Sequence, residues 1–131
     1  MLREITAIIR SSRWKATLEA LRQAGFLAVT RQRVYGRGRQ RGLRYGPSAG
    51  SGQAQDAGGI PVLPKWMVTL AVEDAQVQEA LNAIVAANRS GEIGDGKVFI
   101  TTLGDALRLS SLEQGAAALS GDWITEERVL R

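Results

Sequence analysis

Residues 62–72, VLPKWMVTLAV, decide how the rest of the chain is read. This is the strongest strand in the sequence, rich in β-branched and large apolar residues, with Pro64 tolerable near a strand's start or on an edge. Directly after it, Asp74 can cap a helix over about residues 74–88, in which Val77, Leu81, Ile84, Val85 and Asn88 share one face. A glycine-rich turn, GEIGDGK at 91–97, and a strand-like run, VFITT at 98–102, complete this half as β-α-β. On the N-terminal side, Gly36 to about Gly59 is rich in Gly, Ser, Gln and Arg, with Leu43 and Tyr45 almost its only large apolar groups. Such a segment cannot bury a core and is expected to be a long, mobile loop. Before it, AVTRQRVY (28–35) reads as a strand with its arginines on one face. Ser11 or Ser12 can cap a helix carrying Trp14, Leu18 and Leu21 at i, i+4 and i+7, with Gly25 just past its end. LREITAII (2–9) gives a first strand, ALRLS (106–110) a short run after the last one, and Ser111 begins an Ala-rich tail.

The order is β-α-β, long loop, β-α-β: an α+β, ferredoxin-like split βαβ plan. It implies a four-stranded antiparallel sheet with two helices on one face and right-handed crossovers. The other face needs a cover, which three copies around an axis or the tail can supply.

With 131 residues, 44% of them apolar and 23% charged, the chain has the size and composition of one globular domain. Cys and His are absent, which removes thiolate nucleophiles, the usual zinc ligands, the usual general base and disulfides together. MLREITAIIR is broken by charges and reads neither as a signal peptide nor as a membrane span, so no membrane insertion and a cytoplasmic address are expected. Net charge is +4, but Arg31, Arg33, Arg37, Arg39, Arg41 and Arg44 crowd six of the 17 basic residues together. A polyanion, nucleic acid or nucleotide phosphate, suits that cluster; a solvated basic strand and loop is the plainer reading.

GEIGDGK contains GxxxxGK, but Val98 stands where a P-loop needs Ser or Thr, and the helix comes before the turn instead of after it. Alone it reads as a surface turn. A second Gly/Arg loop, Gly36–Gly42, offers backbone donors and guanidinium forks suited to phosphate, and the two loops can share a sheet edge or meet across a subunit boundary. Trp14, Trp66 and Trp123 read as packing residues, and Glu73, Asp74 and Glu79 as caps and surface charges. No carboxylate pair suits acid–base work, so no enzyme is expected. An RNA-binding sheet is the alternative from another class, but VFITT offers only Phe99 and AVTRQRVY only Tyr35 for base stacking.

Four motifs in order, AIIR at 7–10, GRGRQRG at 36–42, LPK at 63–65 and GEIGDGKVFI at 91–100, resemble the PII nitrogen-regulatory signalling family. Its patterns are G-x-G-R-Q-[KR]-G and TGKIGDGKIF. The resemblance covers residues 1–110, with a T-loop at about 37–60 and residues 111–131 as a C-terminal extension. It implies a homotrimer binding ATP or ADP between subunits, through Ile8, Thr30, Gly36, Gly38, Arg39, Gln40 and Arg41 of one chain. Gly94, Asp95, Gly96, Lys97 and Arg108, the last on a following strand, would come from its neighbour. It further implies Mg2+ on Gln40 and 2-oxoglutarate held by Gln40, Lys65 and backbone N–H groups near Gly42. Ligand state would switch the T-loop between partners: nitrogenase, a membrane transporter or a metabolic enzyme. A related sensor of another metabolite, such as bicarbonate, is the nearest variant. No nucleic acid partner is implied.

The chain departs from the family in places. Ser110 replaces a second arginine, which bears on discrimination of ATP from ADP. Tyr45 falls too early to match the tyrosine that some members uridylylate, so no uridylylation is expected. The GPSAGSGQAQDAGG composition of the loop (46–59) and the LPKWM context look closer to the nitrogenase-associated branch.

Overall fold

The computed structural model describes residues 1–37 and 62–120. Strand β1 (Leu2–Arg10) leads through a 3-10 turn (Ser11–Arg13) into helix α1 (Trp14–Gln23), followed by β2 (Thr30–Gly36). Strand β3 (Leu63–Glu73), a second 3-10 turn (Asp74–Gln76) and helix α2 (Val77–Asn88) come next, then β4 (Gly96–Leu103) and a short helix, α3 (Ala116–Leu119). The strands form one sheet in the order β2-β3-β1-β4, every pairing antiparallel. This is the expected ferredoxin-like plan.

Alternation along β1 and β3 sorts the sheet's two faces. Ile5, Ala7 and Ile9 of β1 and Val68, Leu70 and Val72 of β3 point to one side, where they bury against Leu21, Ala80 and Ile84 of the helices. Glu4, Thr6 and Ile8, with Lys65, Met67 and Thr69, take the other side by the same parity. There Phe99 of the outer strand stays half exposed. Helix α3 lies near β3.

Both helices begin differently from the sequence expectation. Neither Ser11 nor Ser12 caps α1: both belong to the 3-10 turn, and no side chain caps the helix. Ser11 instead donates its hydroxyl to Pro64 O (3.1 Å) and accepts Arg33 (2.8 Å), tying the turn to β3 and β2. Before α2 the cap falls on Glu73, whose N–H donates to the Gln76 side chain (3.1 Å) in a capping-box arrangement. Asp74 pairs with Arg3 instead (2.7 Å), so the cap is one residue earlier than expected.

The end of α1 follows expectation. Gly25 is left-handed (φ 95°), its N–H reaches Arg22 O and that of Phe26 reaches Leu21 O: a Schellman motif whose two apolar ends, Leu21 and Phe26, are both buried.

The buried helix faces are narrower and smaller than the apolar spacing suggested. On α1, Thr17 and Leu21 are buried while Leu18 is exposed; on α2 the buried residues are Ala80, Ile84 and Ala87, while Val85 is exposed. The helices pack on each other, and alanines bring α2 close enough for side chains to cross. The Arg13 guanidinium donates twice to Ala87 O, a carbonyl in the last turn of α2 that has no helical partner. Asn88 Nδ2 donates to Thr17 Oγ1 (2.8 Å), and Thr17 Oγ1 donates to Arg13 O (2.7 Å).

Arginines 31 and 33 share the helix-side face of β2, as the sequence indicated. The Arg31 guanidinium lies 4.5 Å from the Trp14 ring centre and 4.1 Å from that of Trp66; Arg33 lies 4.3 Å over Trp66. The two tryptophans thus serve packing. Trp123 lies outside the described residues.

Candidate functional site

Register brings one end of the sheet together. Arg10 pairs with Lys65, Val34 with Lys65, and Ile9 with Gly96, so β1 and β2 finish where β3 and β4 begin. The two glycine-rich loops therefore leave the same end of the sheet, but from its opposite outer strands. A shared lateral edge is not what the fold provides.

The turn 90–95 is braced from within and from below. Asp95 Oδ1 accepts the Ser90 hydroxyl (2.6 Å), while Oδ2 accepts the backbone N–H of Ser90 (2.8 Å) and Gly91 (2.9 Å). Donation from the Ser90 hydroxyl and amide is the main reason its carboxyl is held down at about 2; Gly91 and the Arg10 charge, 3.2 Å away, add to it. From β1, Arg10 also donates to Ile93 O (2.7 Å); from β3, Lys65 Nζ donates to Gly94 O (3.0 Å). Partial burial pushes the Lys65 amine below its usual range, helped by Arg10 and opposed by Asp95. Sequence reasoning assigned Asp95 and Lys65 to ligands; in this structure both are engaged with the turn.

Gly96 fixes the turn against the sheet. Its φ is 115°, and a Cβ there would stand 1.9 Å from Ile8 O. Only glycine lets β4 begin so close to the central strand. Lys97 follows directly, opposite Ile8 on the face away from the helices. Its side chain has no hydrogen-bond or ion-pair partner among the described residues. Between this end of the sheet and α2, on the helix side, opens a mostly apolar cleft of about 210 Å3 lined by Ile9, Ile84, Val85, Asn88 and Val98, with Gly96 and Lys97 at its rim.

Within one chain the structure therefore brings together Ile8, Asp95, Gly96 and Lys97, with Lys65 reaching Gly94 and Gly36 at the same end of the sheet, whereas the resemblance implied Ile8 on one subunit and Gly94–Lys97 on its neighbour. Thr30 and Arg108 are not part of this group. Thr30 starts β2 opposite Thr69, six residues from Gly36. Arg108 comes after the far end of β4, about 23 Å of strand beyond Gly96. It is not on a strand: its neighbour Leu107 forms a single bridge with Gln114, and the chain turns back on itself. Gly38, Arg39, Gln40, Arg41, Gly42, most of the T-loop and residues 121–131 lie outside the described residues. Among the described residues no group of acidic side chains is placed to hold a metal, and no helix is long and apolar enough to cross a membrane.

Sequence reasoning missed Arg10 and Ser90 as braces of the turn. Asp95 in a glycine-rich turn, four and five residues after the N–H groups it accepts, was the available signal.

The family model for nitrogen regulatory protein P-II matches residues 2–113. The nifHD region GlnB-like protein 2 of Methanothermobacter marburgensis, named for nitrogen fixation, is 36% identical over 121 residues, covering 90% of this chain and all of that one. Nitrogen regulatory protein P-II 2 of Methanothermobacter thermautotrophicus is 35% identical over 118 residues, covering 90% of this chain and 97% of its own. Among solved structures, Arabidopsis thaliana PII bound to citrate superposes with a TM-score of 0.71 at 27% identity, over 91% of this chain and 90% of that one. Fold, motif order and relatives agree, and the chain belongs to the nitrogen regulatory protein P-II family of signal-transduction proteins.

Proposed function

We propose that this regulator senses ATP or ADP together with 2-oxoglutarate, and that the combination sets which target protein its T-loop engages. The observation that carries the reading is the braced turn 90–97: it is held by its own Asp95 and by two cations below, while Lys97, without a partner among the described residues, follows it at the rim of an apolar cleft. That is a positive charge placed next to a surface able to take a base or sugar, with positive-φ glycines turning the backbone around it. Ile8, Gly36 and Gly94–Lys97 are the described contributors; Gly38, Arg39, Gln40 and Arg41 would supply the remaining phosphate donors. Thr30 and Arg108, remote from Lys97 along the strands, fit a site completed by a second copy, in keeping with a homotrimer.

Gln40 would hold Mg2+, whose oxygen-seeking charge binds the 2-oxo acid and the phosphates. Lys65 and the N–H groups near Gly42 would take the carboxylate. Because Lys65 is engaged with Gly94 O, an arriving carboxylate must compete with that carbonyl. The citrate on the Arabidopsis protein is consistent with a small carboxylate effector. Relatives named for the nifHD region make nitrogenase the favoured target, ahead of a transporter or a metabolic enzyme.

The test is calorimetric titration of Mg-ATP with and without 2-oxoglutarate, on wild type and Gln40→Ala. The expected result is 2-oxoglutarate binding only in the presence of Mg-ATP, abolished by Gln40→Ala. Nucleotide binding with no response to 2-oxoglutarate would remove the effector and leave the nucleotide. No nucleotide binding would overturn the sensor reading.

A further inference from the structure

Arg108 is partly buried and surrounded by its own chain. Its Nε lies 3.2 Å from Glu113 Oε1, and one terminal nitrogen donates to the carbonyl oxygens of Ala117 and Ser120. The arrangement is built. Ser111 Oγ donates to Glu113 Oε1 (2.6 Å) and so orients the carboxylate. Backbone bonds close the same segment: Leu112 N–H to Arg108 O (2.7 Å), Arg108 N–H to Glu113 O (2.8 Å) and Gly115 N–H to Ala106 O (3.0 Å). A guanidinium ringed by a carboxylate and two carbonyls is chemically occupied as it would be by a phosphate: anionic oxygen at Nε, further acceptors at a terminal nitrogen.

We infer that segment 111–120 acts as an internal stand-in for phosphate at Arg108, a latch that a bound nucleotide must displace. The inference rests on the nucleotide reading above and adds its regulation. Glu113 and a nucleotide phosphate cannot both hold the same edge of Arg108, so binding and tail release are linked. By reciprocity, whatever holds the tail down weakens the nucleotide, and whatever draws the tail away strengthens it. The segment lies immediately before the extension 121–131, so a partner that takes hold of the extension can pull on the latch directly. Ser110 sharpens the point, because the latched guanidinium has no second arginine two residues on to share the load.

The test uses the full chain, as wild type, Glu113→Gln and Ser111→Ala, titrated with Mg-ATP and followed by amide exchange at Leu112 and Gly115. Removing the carboxylate charge is expected to tighten Mg-ATP binding about two- to fivefold, the range of one partly exposed ion pair. Ser111→Ala, which only frees the carboxylate to swing, should give a smaller gain. In wild type, saturating Mg-ATP should speed exchange at Leu112 and Gly115; in Glu113→Gln the exchange should be fast before any nucleotide is added. Equal Mg-ATP affinity in all three proteins would overturn the latch while leaving the nucleotide site intact. So would nucleotide binding that leaves both amides protected. If none of the three binds Mg-ATP, the nucleotide reading itself fails, and the latch with it.

Discussion

Replacing Gly96 by alanine should be among the most damaging single changes available in this sheet. Two separate costs meet there. A non-glycine residue at φ 115° carries backbone strain of about 1–2 kcal/mol. The added Cβ also overlaps Ile8 O at 1.9 Å, and the obstacle is backbone of the central strand, held on one side by β3 and on the other by β4. Relief requires β4 to pull away, surrendering the pairings at Gly96 and Lys97, each bond contributing roughly 1 kcal/mol net. The sum is about 3–4 kcal/mol, a large share of the roughly 5–15 kcal/mol by which such domains are stable. Gly91→Ala is the control: its φ is 87°, but nothing lies within 4 Å of the new methyl, so only the strain applies. Urea unfolding at one fixed protein concentration, followed by far-UV circular dichroism, measures both. Gly96→Ala should unfold at clearly lower urea than Gly91→Ala. Equal losses, or a loss below about 1 kcal/mol for Gly96→Ala, would refute the close-approach argument.

Three further outcomes follow from other contacts. The Asp95 carboxyl, held at about 2 in the fold against about 3.9 in an unfolded chain, stabilises the turn above pH 4 and loses that effect as pH falls toward 2; the Ser90 amide shift should therefore titrate near 2, and a midpoint near 4 would contradict the bracing. Arg31→Ala removes the cation shared by Trp14 and Trp66, and should cost about 1–2 kcal/mol with a red shift in tryptophan emission, while Arg31→Lys keeps part of both; unchanged emission would argue against the stack. Thr17→Val deletes a buried hydroxyl that bridges Arg13 O and Asn88, for about 1–2 kcal/mol in thermal unfolding, and adding Asn88→Leu should cost less than the two changes summed. Additive losses would show that the helices do not communicate through that pair.

The sheet was legible because alternation and turn residues report backbone directly. β1, β3 and Gly25 stand where the apolar pattern and the left-handed stop placed them. Boundaries moved where a local hydrogen bond competed with a cap: Ser11 found Pro64 and Arg33, and Asp74 found Arg3, partners that no local rule reveals. The helix faces were misjudged for a related reason. Counting large apolar residues favoured Leu18 and Val85, whereas close helix–helix contact selected Ala80, Ala87 and Thr17, because small side chains permit it. At the site, motif spacing identified Gly94–Lys97 as a unit, and the structure brings Ile8 beside it. What spacing could not convey is that Asp95 and Lys65 are committed to holding the turn, or that Arg108 leaves the strands altogether and is folded into the tail.

The central position of β1 has a consequence for how the protein is made. Leu2 pairs with both Glu73 and Leu103, so the first of the four strands to be made is the last to be flanked on both sides. At roughly 5–20 residues per second, the interval between synthesis of Leu2 and of Leu103 is on the order of 5–20 seconds. Throughout it, Ile5, Ile8 and Ile9 stand without β4, and for most of it without β3. Native pairings that span so much sequence also close slowly after release. The nascent chain thus carries the β4 side of its central strand unpaired until Leu103 has been made.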